Sequence, residues 1–130
     1  MAVIGHGVDI IGVEALAERL RNEGEPTDWL TAAECESLPP EGSRRATYVA
    51  GRIAAKEAVA KALGTGFTMG VTWADIEILN NSTGQPTVRL LGRALEIAES
   101  KGVTGWLVSI SHNESQAIGS AIAVQEYPGD

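Results

Sequence analysis

The stretch from Ser43 to Gly66, SRRATYVAGRIAAKEAVAKALGTG, constrains the fold more than any other part of the chain. It is rich in alanine, the best helix former, contains no proline, opens on a serine and closes on glycines, so it predicts one long helix with a serine start and a glycine stop. At about 100° per residue, Val49, Ile53, Ala60 and Leu63 form a single apolar stripe. Lys56 falls in the middle of that stripe and Glu57 at its edge. Two charges on a core-facing strip need a reason.

One reason is local: Glu57 pairs with Lys61 at i, i+4 while Lys56 snorkels to solvent. The other is a site. A carboxylate flanked by Lys56 and Lys61, with Arg52 a turn earlier and the Gly64-Thr65-Gly66 turn at the helix end, suits a metal ion carrying a polyphosphate. The spacing alone leaves both open.

Charge narrows the partners. The 130 residues carry a net charge of −7 and a pI near 4.8, which argues against nucleic acid, because a phosphate backbone needs a basic face. An anionic ligand must then use a local basic cluster. The single cysteine, Cys35, forms no internal disulfide and has no metal-site spacing, so a reducing cytoplasm is the expected setting. The apolar N-terminal run is broken by His6 and Asp9 and lacks a basic leader, so neither a signal peptide nor a membrane span is expected. With 44% hydrophobic residues, the expectation is one domain over residues 1–130.

Before the long helix, Ala2 to Ile11 alternates as a strand with Gly5, Gly7 and Asp9 on one face. Two glycines thin that face and let a helix backbone approach, so Asp9 either meets a group on the Ser43 helix or caps the next element. Val13, Leu16, Ala17 and Leu20 make a short amphipathic helix from Gly12 to Asn22, ended by Asn22-Glu23-Gly24-Glu25-Pro26. Thr31 and Glu34 read as the capping box of a second short helix, stopped at Leu38 by Pro39-Pro40.

After it, Thr72 to Asn80 reads as a strand that buries Ile76 and Ile78 and exposes Asp75 and Glu77. A turn at Asn80 to Pro86 leads to a return strand, Thr87 to Leu90. Leu91, Ala94, Leu95 and Ala98 mark a helix ended by Lys101-Gly102. Gly105 to His112 and Gln116 to Val124 are two further strands, the last with an Ala/Gly face (Ala117, Gly119, Ala121, Ala123) suited to close helix packing. The order β-α-α-α-β-β-α-β-β gives an α+β domain with a largely antiparallel sheet packed on a long helix.

Five collinear segments now bear on identity: GHGVDI (Gly5 to Ile10), WLTAAE (Trp29 to Glu34), RIAAKEAVAKALGTG (Arg52 to Gly66), DIEI with NNSTGQP, and SISH (Ser109 to His112). In order and spacing they resemble the small 4′-phosphopantetheinyl transferases of the holo-acyl-carrier-protein synthase type, over nearly the whole chain. The resemblance implies Mg²⁺-dependent transfer of the phosphopantetheine arm of coenzyme A to a serine of an apo acyl carrier protein, with 3′,5′-ADP leaving, in a homotrimer with sites between subunits. Asp9 and Glu57 match the family's metal ligands. Lys61 matches a phosphate-binding lysine, Lys56 and Gly64 belong to the same motif, and His112 matches a histidine near the coenzyme phosphates. Arg44, Arg45 and Arg52 offer partners for the 3′-phosphate, and Gly84 and Pro86 match a loop along the coenzyme.

This chain departs from the pattern in its first helix. GVEALAERLRNEGEPTDW has Glu14 and Ala15 where basic residues are usual, leaving Arg19 and Arg21 among Glu18, Glu23, Glu25 and Asp28. Ile53, Gln85 and Asn113 also replace an aromatic, a lysine and an acid. A coenzyme A-binding homologue that no longer modifies a standard acidic carrier is therefore the alternative to an active transferase.

Overall fold

A computed structural model describes residues 1–23 and 26–130. Gly24 and Glu25, part of the expected stop of the first helix, lie outside the described residues. The elements are β1 (Ala2–Gly12), α1 (Val13–Glu23), α2 (Ala32–Glu36), α3 (Ser43–Leu63), β2 (Ile76–Asn80), β3 (Pro86–Leu90), α4 (Gly92–Ser100), β4 (Gly105–His112) and β5 (Gln116–Gln125). This is the expected α+β order. The strands form two antiparallel sheets rather than one, β1-β5-β4 and the hairpin β2-β3.

Helix α3 lies across the inner face of the larger sheet, and the glycines explain how close it comes. A Cβ on Gly5 would stand 2.0 Å from the Ala62 carbonyl oxygen, one on Gly7 2.0 Å from that of Ala58, and one on Gly119 2.5 Å from the Ala54 carbonyl carbon. Only hydrogen fits at these three points. Ala117, Ala121 and Ala123 are fully buried between them, so the Ala/Gly face of β5 is consumed by α3. The second core, between α1 and α3, joins Val13 and Leu16 to Leu30, Val49 and Ile53.

Helix ends follow the sequence in part. Gly64 adopts φ 81° at the end of α3 and its N–H donates to the Lys61 carbonyl. Ser43 does not cap the start: the capping position is Gly42, at φ 121°, with no side-chain bond, and Ser43 is already helical. Thr31 and Glu34 form the expected capping box of α2. Residues Trp73–Asp75 turn as a 3-10 helix, so β2 begins at Ile76 instead of Thr72. Glu77, expected on the exposed face, is 6% exposed, and the Thr31 hydroxyl satisfies its buried carboxylate by donating to Oε2 at 2.7 Å.

Candidate active site

The close approach of β1 to α3 delivers Asp9 to the flank of that helix. Lys61 Nζ donates to Asp9 Oδ1 at 2.8 Å and to the Val8 carbonyl at 3.1 Å, with the lysine side chain half exposed and the carboxylate 13% exposed. Lys61 therefore pairs across the fold rather than with Glu57. Asp9 Oδ2 is buried and has no hydrogen-bond partner among the described residues. Burial and the adjacent Asp9 charge push the Glu57 carboxyl up to about 7, against the pull of Lys61 and Arg19. Burial also acts to raise Asp9, but the proton on Glu57 and the Lys61 ammonium outweigh it and hold Asp9 below its ordinary value. Two neighbouring carboxylates, one with a buried oxygen that has no partner among the described residues, are a donor set that fits a cation. Mg²⁺ fits it, since it is commonly held by one or two carboxylates with substrate oxygens and water completing the shell. No cluster of three or more His, Cys, Asp or Glu side chains suited to a metal occurs among the described residues.

Glu57 opens into a cleft of about 240 Å³, walled by Leu16, Trp29, Ile53 and Trp73 with Arg19 at its side. Trp73 stacks on Phe67 with centroids 3.9 Å apart, and the Arg19 guanidinium lies 4.9 Å over the Trp29 ring.

The other candidate residues collect elsewhere. A cavity of about 420 Å³ brings together Arg44, Arg52, Gly84, Pro86 and His112 from α3, the β2-β3 loop and the end of β4. Arg52 is 5% exposed, donates through Nη2 to Asn80 Oδ1 at 3.0 Å and lies 4.7 Å over the Tyr48 ring, while its buried Nε has no acceptor among the described residues. The loop carrying Gly84 is held by Asn81, whose Oδ1 accepts from the Thr83 and Gln85 N–H groups. Gly84 itself sits at φ 87°. One buried and one exposed arginine, with a hydrogen-bonded loop beside them, suit a phosphate.

Three candidates fall outside both groups. Arg45 donates to the Pro39 carbonyl at 3.3 Å and lines a separate cavity between α1 and the start of α3. Gly64 packs beneath Lys101, whose ammonium binds the Leu63 carbonyl. Lys56 neither snorkels nor faces a coenzyme: it is fully buried, with Nζ 2.6 Å from Glu34 Oε1 and 2.8 Å from the Trp29 carbonyl. Burial pulls its ammonium below the ordinary lysine value, against the Glu34 charge. The physical reason is the partner: Glu34 lies 22 positions away, and a carboxylate on the core side removes the drive to reach water.

Sequence reasoning passed over Glu34, Trp29, Trp73, Tyr48 and Asn80 as site-forming residues. Tyr48 and Arg52 were accessible through their i, i+4 spacing; the others meet α3 only through long-range packing.

A family profile described as the 4′-phosphopantetheinyl transferase superfamily matches residues 5–118. The chain belongs to that superfamily. Among curated relatives of this 4′-phosphopantetheinyl transferase family member, the holo-[acyl-carrier-protein] synthase of Desulforudis audaxviator is 44% identical, with 94% of this chain and 93% of that protein covered. The crystal structure of holo-[acyl-carrier-protein] synthase from Neisseria meningitidis matches with a TM-score of 0.85 at 30% identity, covering 95% and 100% of the two chains. A Bacillus anthracis holo-(acyl-carrier-protein) synthase in complex with coenzyme A (3′,5′-ADP) gives a TM-score of 0.80 at 30% identity, covering 95% and 98%. None of the described helices is long and apolar enough to cross a membrane.

Proposed function

We propose that this protein transfers the 4′-phosphopantetheine group of coenzyme A to a serine hydroxyl of an apo acyl carrier protein in the cytoplasm, requires Mg²⁺ and works as a homotrimer whose sites lie between subunits. The relatives' names, and the coenzyme in the related Bacillus structure, support the reaction class. In that reaction the serine oxygen forms a bond to the β-phosphorus of the pyrophosphate. The bond from that phosphorus to the bridging oxygen breaks, 3′,5′-ADP departs with the bonding electron pair, and the seryl proton passes to solvent.

Each set of residues has a part. Asp9 and Glu57 would hold Mg²⁺, which when bound would supply positive charge to the pyrophosphate and ease departure of the anionic leaving group. Lys61, whose half-exposed ammonium already stands beside Asp9, binds a phosphate oxygen. Arg44 and Arg52 hold the 3′-phosphate, Gly84 and Pro86 line the coenzyme, and His112, exposed at the end of β4, donates to a phosphate oxygen.

The observation that carries the shared site is the placement of the two sets. Glu57 and Arg44 are thirteen positions apart on one helix, about 20 Å along its axis, and Arg52 points about 140° away from Glu57 around it. One nucleotide's phosphates do not span opposite sides of a helix at that separation. A second copy that brings its Arg44 and Arg52 to the Asp9-Glu57 pair solves the geometry.

The sheet offers the surface for that copy. The outer face of β1-β5-β4 carries Val8 (48% exposed), Ile10 (52%), Ile118 (41%) and Leu107 (54%), with Ile10 directly opposite Ile118, and no element of the described chain covers it. The Ala/Gly face of β5 is already packed on α3, so the opposite face is the one left to meet another copy. Exposed apolar area of this kind marks an interface. Light scattering is expected to give three times the 13.6 kDa chain mass at working concentration. A 13.6 kDa particle would remove both the trimer and the shared site.

The carrier docks beside the Glu57 cleft, where Arg19 stands. Arg21 is already paired with Glu14 at 3.3 Å on an exposed surface, so apolar contacts supply much of the docking energy.

A further inference from the structure

We propose that the buried Lys56-Glu34 pair is a positioning device that holds Trp29 as a wall of the Glu57 cleft. Lys56 thus serves the reaction from inside the core without touching substrate. The pair is fully enclosed, and its hydrogen bonding is closed on itself. Lys56 Nζ donates to Glu34 Oε1 and to the Trp29 carbonyl, Glu34 Oε1 also accepts from the Thr31 N–H at 2.7 Å, and Glu34 Oε2 accepts from the Ile78 N–H at 2.8 Å. The Thr31 hydroxyl extends the network to Glu77.

A buried ion pair is poor evidence for stability, because desolvation cancels most of the attraction and apolar residues of similar volume often do as well. What such a network does provide is a single geometry, since every member must be satisfied at once. The segment it fixes has only short elements of its own, a turn at Pro26–Asp28, the loop from Trp29 to Thr31 and the five-residue α2, seated on the second core through Leu30 and on α3 through the Tyr48 hydroxyl, which donates to the Glu34 carbonyl. Pinned to α3 through the carbonyl and to β2 through Ile78, that segment presents the Trp29 indole to the cleft facing Glu57, with the Arg19 guanidinium against the ring. Lys56 and Glu57 are consecutive, so the same turn of α3 turns one charge inward to hold the wall and the other outward into the cleft.

The inference rests on the transferase reading for its kinetic arm only. The test uses the full-length double variant Lys56→Met/Glu34→Gln, which removes both charges at nearly constant volume and leaves an acceptor for the Ile78 N–H. Fluorine NMR of protein labelled with 5-fluorotryptophan, with the Trp29 line assigned by Trp29→Phe, should show that line shifted or broadened and the Trp106 line of β4 unmoved. KM for apo carrier should rise about tenfold or more, with kcat within about threefold. A folded variant with an unmoved Trp29 line, or with kcat lost at unchanged KM, would overturn the proposal. If the double variant does not fold, Trp29→Ala decides: with the ion pair intact it must raise KM in the same way, and an unchanged KM overturns the role of the wall. If the wild-type protein transfers nothing, the functional reading fails, and the Trp29 line alone decides the positioning claim.

Discussion

Glu57→Gln is expected to lower turnover by about two to three orders of magnitude while Tm stays within about 3 °C of the parent protein. The two effects separate for a structural reason. Glutamine has nearly the size and shape of glutamate, and its amide can donate to the buried Asp9 Oδ2, which has no partner among the described residues. Packing around α3 is therefore undisturbed. The cation site is not: one of its two carboxylates becomes neutral, and the amide NH₂ faces the position where a metal ion would bind. Steady-state kinetics at saturating Mg²⁺ and a thermal melt give both numbers. Near-normal turnover would remove Glu57 from the metal site.

The largest effect on folding is expected at Gly7. A Cβ there would meet the Ala58 carbonyl oxygen at 2.0 Å and the Ala62 nitrogen at 2.9 Å, both backbone atoms in the last two turns of a helix packed on the sheet beneath it. Rotation of a side chain cannot relieve that contact, so α3 must lift from β1. Ordinary overpacking costs about 1–3 kcal/mol, and displacing a whole helix exceeds it, so Gly7→Ala should destabilise by about 4 kcal/mol or more and lower Tm by about 15 °C or more. Activity would fall with it, because the Asp9 carboxylate is carried two residues further along the same strand. A melt within about 3 °C of the parent would mean that the helix is less tightly seated than its contacts imply. Gly5→Ala meets the Ala62 carbonyl oxygen at the same 2.0 Å and provides the replicate.

The meeting of Asp9 with the long helix was legible for the same reason. Two glycines on the Asp9 face of a strand have few uses other than admitting a backbone, and an alanine-rich helix is the natural visitor. The capping box at Thr31 and the glycine stop at Gly64 were readable because both act within a few residues. Glu34 shows where such reading ends. Its spacing to Thr31 announced a cap, and the cap is there, but the same carboxylate also receives Lys56 and the Ile78 N–H across 22 and 44 positions. No periodicity reports a contact of that range. Glu77 fails in the same way: strand alternation assigns it to solvent, yet it is buried, with a hydroxyl from another element satisfying its carboxylate. The division of the site was equally hidden. Arg44, Arg52 and Glu57 share one helix and read as one cluster along the sequence, whereas rotation and rise place them on different sides of it.

This chain is proposed to be a working transferase and not a homologue that only binds coenzyme A. Intact-mass spectrometry of an apo acyl carrier protein, incubated with the purified protein, coenzyme A and Mg²⁺, tests it most directly. The carrier is expected to gain the mass of one phosphopantetheinyl group, and to gain none when EDTA replaces Mg²⁺. Unchanged carrier mass across several acidic carriers, from a protein that binds coenzyme A under the same conditions, would contradict the account.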